Sequence, residues 1–174
     1  MIAEPENKAT FYQYRLLKKK AIARSVIHSY LCLPIIMLLF NLLAFSWTGL
    51  FFFLLAGPII AWIHYVIART ILLLVRTSYT KRWRWNLRMP WFGYVPDQHF
   101  SYRMFVRVHL NMSWIGLCII TICLLWSPIS FTLSLVFWHL WLLGPRLYVV
   151  LILARGRKDG LIKLNDHDVS YYLQ

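Results

Sequence analysis

VIHSYLCLPIIMLLFNLLAFSWTGLFFFLLAGPIIAWIHYVIA, residues 26–68, runs from Val26 to Ala68 without one Asp, Glu, Lys or Arg. A soluble domain has nowhere to bury such a stretch. A bilayer with a hydrocarbon core of roughly 30 Å takes about 20 apolar residues per helix, at about 1.5 Å each, so the stretch is long enough to cross twice. Near its middle, Ser46-Trp47-Thr48-Gly49 combines turn-forming residues with an interfacial tryptophan and no charge. The chain is therefore expected to cross as one helix over 28–46, reverse, and return as a second over 50–75.

A second charge-free stretch, Val108 to Pro145, repeats the plan with a helix over 110–126, a turn at Ser127-Pro128 and a helix over 129–154. The fold class expected is an all-α, multi-pass integral membrane protein, with four transmembrane helices as two helical hairpins. Composition agrees: 60% of the 174 residues are hydrophobic and only 14% are charged, against about 25% in soluble domains. Cys32, Cys118 and Cys123 fall inside apolar segments, where a thiol behaves as a small hydrophobe, and they form no CxxC pair. No removable signal peptide is read at the N-terminus, because the first apolar stretch is too long and lacks a cleavage site.

Charge sets the orientation. The formal net charge is +13, and the basic residues fall in three blocks: a basic N-terminal segment over 1–27, a central loop over 76–109 and a tail over 155–174. Neither short turn carries one. The positive-inside rule places both termini and the central loop on the cytoplasmic side of the cell membrane, N-in and C-in.

The returning helices are each interrupted by one arginine, Arg69 and Arg146, about 18 residues from its turn, which is near the far headgroup layer. There a guanidinium is expected to snorkel into the interface. Each returning helix also carries a Gly-Pro pair, Gly57-Pro58 and Gly144-Pro145, expected to bend it. The central loop interleaves Arg82, Trp83, Arg84, Trp85, Arg88 and Trp91. Indoles at headgroup depth and guanidinium groups on phosphates make this an interfacial collar, or a docking surface for a lipid headgroup or partner. Together with Arg69 and Arg146, these are the residues expected to contact lipid or a partner. Nucleic-acid binding is disfavoured, because an anionic surface already lies beside the loop.

Two histidines, His64 and His139, fall near mid-membrane on the two returning helices. Facing imidazoles in a bundle can ligate a haem b; otherwise each ring bonds a carbonyl, a hydroxyl or Asn41 across a helix contact. No HExxH or HxxxH spacing is present, no metal site is indicated, and Asp166 and Asp168 read as part of a solvated tail. No span carries an Asp or Glu, which disfavours a self-sufficient ion-coupled carrier, and no nucleophile motif or other catalytic residue stands out.

The functional expectation is a non-enzymatic subunit, accessory protein or assembly factor of a larger envelope complex such as transport, secretion or conjugation machinery. Its expected partners are membrane lipids including anionic headgroups, and other membrane or cytosolic subunits, with no cofactor. Two alternatives stand beside it. One is a haem b-binding electron-transfer protein using His64 and His139; the other is a small lipid-handling or peptide-immunity protein.

Overall fold

The computed structural model describes residues 15–21, 23–75, 77–154, 160–165 and 168–173. The chain is mostly helical, and three of its helices are long and apolar enough to cross a membrane. In order the elements are β1 (Arg15–Ala21), α1 (Arg24–Val75), α2 (Thr77–Thr80), β2 (Trp83–Asn86), β3 (Gly93–Pro96), β4 (Phe100–Ser101), α3 (Tyr102–Cys123), α4 (Ile129–Leu153), β5 (Leu161–Leu164) and β6 (Asp168–Leu173).

Helix α1 is not continuous. At Ser46 the backbone leaves helical geometry, with φ 57° and ψ −152°. A Cβ added at Gly49 would lie 2.5 Å from the Asn41 carbonyl oxygen, although in an unbroken helix these residues stand about 12 Å apart along the axis. Contacts with α4 follow the same change of direction. Before Ser46, Tyr30 meets Trp141 and Asn41 meets Ser134, so partner numbers fall as the chain advances. After it, Phe52 meets Phe131 and His64 meets His139, so they rise. The Ser46–Gly49 turn read from the sequence thus corresponds to a real break in the helix.

The first half of α1 is peripheral. Asn41 is its one buried residue among those described, while Ile35, Ile36 and Leu43 are exposed. Two prolines explain how it is held. Pro34 has no N–H for the Tyr30 carbonyl one turn earlier, and Pro145 has none for the Trp141 carbonyl. Trp141 Nε1–H donates to the Tyr30 carbonyl at 3.0 Å, and the Tyr30 hydroxyl donates to the Trp141 carbonyl. Their rings stack with centroids 4.7 Å apart. Each side chain therefore satisfies the carbonyl that the other helix's proline orphans.

The all-α expectation is corrected at the other end of the helices. Strands β1, β6, β5 and β4 form a four-stranded antiparallel sheet in that order, and β2 and β3 form a separate two-stranded hairpin. The sheet joins segments from the start, middle and end of the chain, which places all three at one end of the bundle. Within the central segment, residues 77–109 form α2, the β2–β3 hairpin, β4 and the first turns of α3. Helix α3 begins at Tyr102 rather than 110, and the described part of the tail is paired strand, with Asp168 beside Lys19, Asn165 and Ser170.

Packing makes the helices continuous with the cap that the four-stranded sheet and the β2–β3 hairpin form at their end. Trp83, Trp91, Tyr94, Phe100, Ile162 and Tyr171 share one core with Leu72, Phe105, Met112 and Leu143. Because β6 is the one strand paired with β1 among the described residues, removing it should free β1, while β5 keeps β4. Truncation after Asn165 should make trypsin cleavage at Lys18, Lys19 and Lys20 markedly faster in limited proteolysis, and an unchanged cleavage rate would contradict this sheet order.

Candidate functional site

The interior of the bundle carries a polar stripe built from three helices. On α3, His109, Met112 and Gly116 recur at helical spacing and lie on one face. Facing them on α4 are Arg146, whose guanidinium reaches the Met112 sulfur at 3.9 Å, and His139, whose ring fills the space that a Gly116 side chain would need. From α1, His64 completes the group, with its Nε2 2.9 Å from His139 Nδ1. His109 is held by its own helix through a bond from Nδ1–H to the Phe105 carbonyl at 2.8 Å, and it stacks beneath Trp83 of the cap. All four of these His and Arg side chains are buried.

The bonding pattern constrains the protons. With Nδ1–H used by the Phe105 carbonyl, neutral His109 leaves a bare Nε2. His64 and His139 share one hydrogen, so one outer nitrogen of the pair is a donor and the other an acceptor. Of the outer atoms, His64 Nδ1 has no partner among the described residues, and neither does His109 Nε2. The two neutral tautomeric arrangements of the pair exchange these roles. It does not fit a haem as it stands. Iron between two imidazoles separates the ring nitrogens by about 4 Å, at metal–nitrogen distances near 2 Å, whereas these nitrogens bond each other directly.

Arg146 lies as far along α4 as the sequence implies, but its direction is inward. It is 2% exposed, donating from one Nη to the Phe92 carbonyl of the cap, and its Nε has no partner. No carboxylate pairs with it among the described residues. This corrects the expectation that it snorkels to lipid headgroups. Trp83 and Trp91 are corrected likewise: they are 3% and 2% exposed, and Trp91 Nε1–H donates to the Asn165 carbonyl. Alternation along β2 turns Trp83 into the core and leaves Arg84 outside.

The remaining sites lie outside. Arg69 is exposed, bonded to the Tyr65 hydroxyl and set over its ring at 5.7 Å. Arg82, Arg84, Trp85 and Arg88 are exposed on the hairpin, and Leu87 at its tip is 75% exposed. Arg84 and Asp97 form a loose ion pair at 3.8 Å. They border a polar depression of about 300 Å³ that also takes in Asn86, Arg88 and Leu164. Nearby, burial and then Tyr65 push the Tyr94 hydroxyl above its ordinary value, while partial burial and then Lys163 hold the His99 imidazole below its own.

No protein-family model matches the chain, and no curated protein or solved structure matches it either.

His109 and the inward role of Arg146 were not read from the sequence. The usable signal was the i, i+7 spacing of His139 and Arg146, which sets both on one helical face. The close fit around Arg146 gives a direct test. Gly93 has φ +108°, and a Cβ there would lie 2.6 Å from Arg146 Nη2, whereas a Cβ at Gly144 meets only the Tyr30 ring at 4.0 Å. Gly93→Ala is expected to lower the unfolding free energy in detergent by about 1–3 kcal/mol. Gly144→Ala should stay within about 0.5 kcal/mol. Equal effects would contradict the crowded, positive-φ turn at Gly93.

Proposed function

We propose that this chain is a four-span protein of the cytoplasmic membrane, N-in and C-in, acting as a non-enzymatic subunit or accessory factor of a larger envelope complex. Two helical hairpins, reversing at Ser46–Gly49 and at Ser127–Pro128, cross the bilayer, and the cap lies on the cytoplasmic side. The observation that carries the reading is the cap itself. Segments from three parts of the chain fold into one body on one end of the helices, and its β2–β3 hairpin leaves Arg84, Leu87 and Arg88 exposed and Trp85 half-exposed against Tyr65. Exposed apolar residues ringed by arginine suit a docking surface, since Trp and Arg dominate binding energy at interfaces. The opposite turns have no basic residue, which supports the same orientation.

Two measurements test this. In a cysteine-free background, single cysteines at Lys19, Leu87 and Lys163 should react with a membrane-impermeant reagent only in inside-out vesicles, and cysteines at Trp47 and Trp126 only in intact cells. Any other partition overturns the topology. Crosslinking in native membranes should recover a stoichiometric second protein, and Trp85→Ala with Arg84→Glu should reduce its recovery at least about fivefold, as an interface anchor worth over 1 kcal/mol requires. Recovery of a monomer or homo-oligomer alone would overturn the subunit reading.

The haem alternative requires the His64–His139 bond to open. It is tested by the absorption spectrum of protein purified from haem-replete cells: a Soret band lost in His64→Ala would establish it, and a colourless preparation would exclude it.

A further inference from the structure

A groove of about 430 Å³ lies between the first turns of α1 and the cap end of α4. Val26, Ile27 and Tyr30 form one wall, Gly144, Pro145 and Tyr148 the other, and Pro90 of the hairpin segment closes one side. The lining offers almost nothing to a polar ligand. The Tyr30 hydroxyl is committed to the Trp141 carbonyl. The depression persists at Gly144 because that position has no side chain: a Cβ there would meet only the Tyr30 ring at 4.0 Å.

Depth and charge identify the occupant. Gly144 stands about 22 Å along α4 from Ile129, and Tyr148 about 28 Å, which places the groove in the cap-side half of a hydrocarbon layer of roughly 30 Å and Tyr148 at its edge. Tyrosine favours that level. Tyr148 also borders a second, smaller depression shared with Ile152, Leu153, Val169 and Lys20. An apolar groove at acyl-chain depth thus continues, past an interfacial tyrosine, to an exposed lysine on β1.

We infer that this groove is a binding site for one anionic phospholipid of the bilayer, with an acyl chain laid against Gly144 and Pro145 and the phosphate at Lys20. The inference rests on the proposed seating of α1 and α4 in the membrane, and is independent of any protein partner. Lys19 is partly neutralised by Asp168 at 3.9 Å, which leaves Lys20, among the described residues, as the cation that borders the apolar path.

The test uses full-length protein in phosphatidylcholine nanodiscs doped with phosphatidylglycerol, with retained lipid counted by native mass spectrometry after release into detergent. Wild type should keep one phosphatidylglycerol per chain. Gly144→Leu, which fills the groove, should keep none. Lys20→Gln, an exposed substitution compatible with folding, should reduce the preference for phosphatidylglycerol over phosphatidylcholine about fivefold, the effect of removing one lysine at an anionic surface. Equal retention of the two lipids by wild type, retention by Gly144→Leu, or an unchanged preference in Lys20→Gln would overturn the site. A chain that does not enter the nanodiscs would contradict the membrane seating, whereas one that enters and takes no phosphatidylglycerol contradicts the site alone.

Discussion

A backbone carbonyl freed by a proline inside an apolar helix needs a donor from elsewhere, and in this protein two such carbonyls tie the helices together. Pro34 and Pro145 each strip a carbonyl of its helical partner, and the two carbonyls are answered reciprocally by Trp141 and Tyr30. This exchange, with the Ser134–Asn41 bond, holds a half-helix that has little buried apolar surface to hold it otherwise. An unanswered carbonyl in hydrocarbon costs several kcal/mol, so the pairing is enforced wherever lipid surrounds these helices.

Polar contacts also join the cap to the helices. Arg146 is buried with no acid beside it among the described residues, and its guanidinium is met by the Phe92 carbonyl of the hairpin segment and by the Met112 sulfur. Trp83 stacks over His109, and Trp91 bonds Asn165 in the turn between β5 and β6. A partner docked on the hairpin would therefore press on a surface continuous with the histidine–arginine stripe.

Much of the architecture was legible in the sequence because hydrocarbon thickness and the absence of charge leave few choices over 26–68 and 108–145. The break at Ser46 and the turn at Ser127-Pro128 lie where turn chemistry put them. The strands were harder to read, because they are short and two of them pair only with segments far away in sequence. Trp83-Arg84-Trp85 carries the period-two alternation of a strand, yet Trp and Arg together also suit a bilayer interface, and the interfacial reading hid the strand reading. A lone arginine in an apolar helix, as at Arg146, does not reveal whether it turns outward to headgroups or inward to a carbonyl. His64 and His139 were read as mid-membrane imidazoles. That they bond each other depends on the rotation of two helices, which hydropathy does not encode.

The central claim, that side chains answer the carbonyls the prolines orphan, is tested most directly by coupling Tyr30→Phe to Pro145→Ala. Unfolding free energies in one detergent are measured for wild type, both single variants and the double variant. Removing the Tyr30 hydroxyl should cost about 1–3 kcal/mol when Pro145 is present, because a buried acceptor is left unmade. Restoring the helical N–H with Pro145→Ala should reduce that cost to below about 0.5 kcal/mol, the scatter for uncoupled changes. The same cost in both backgrounds would contradict the account.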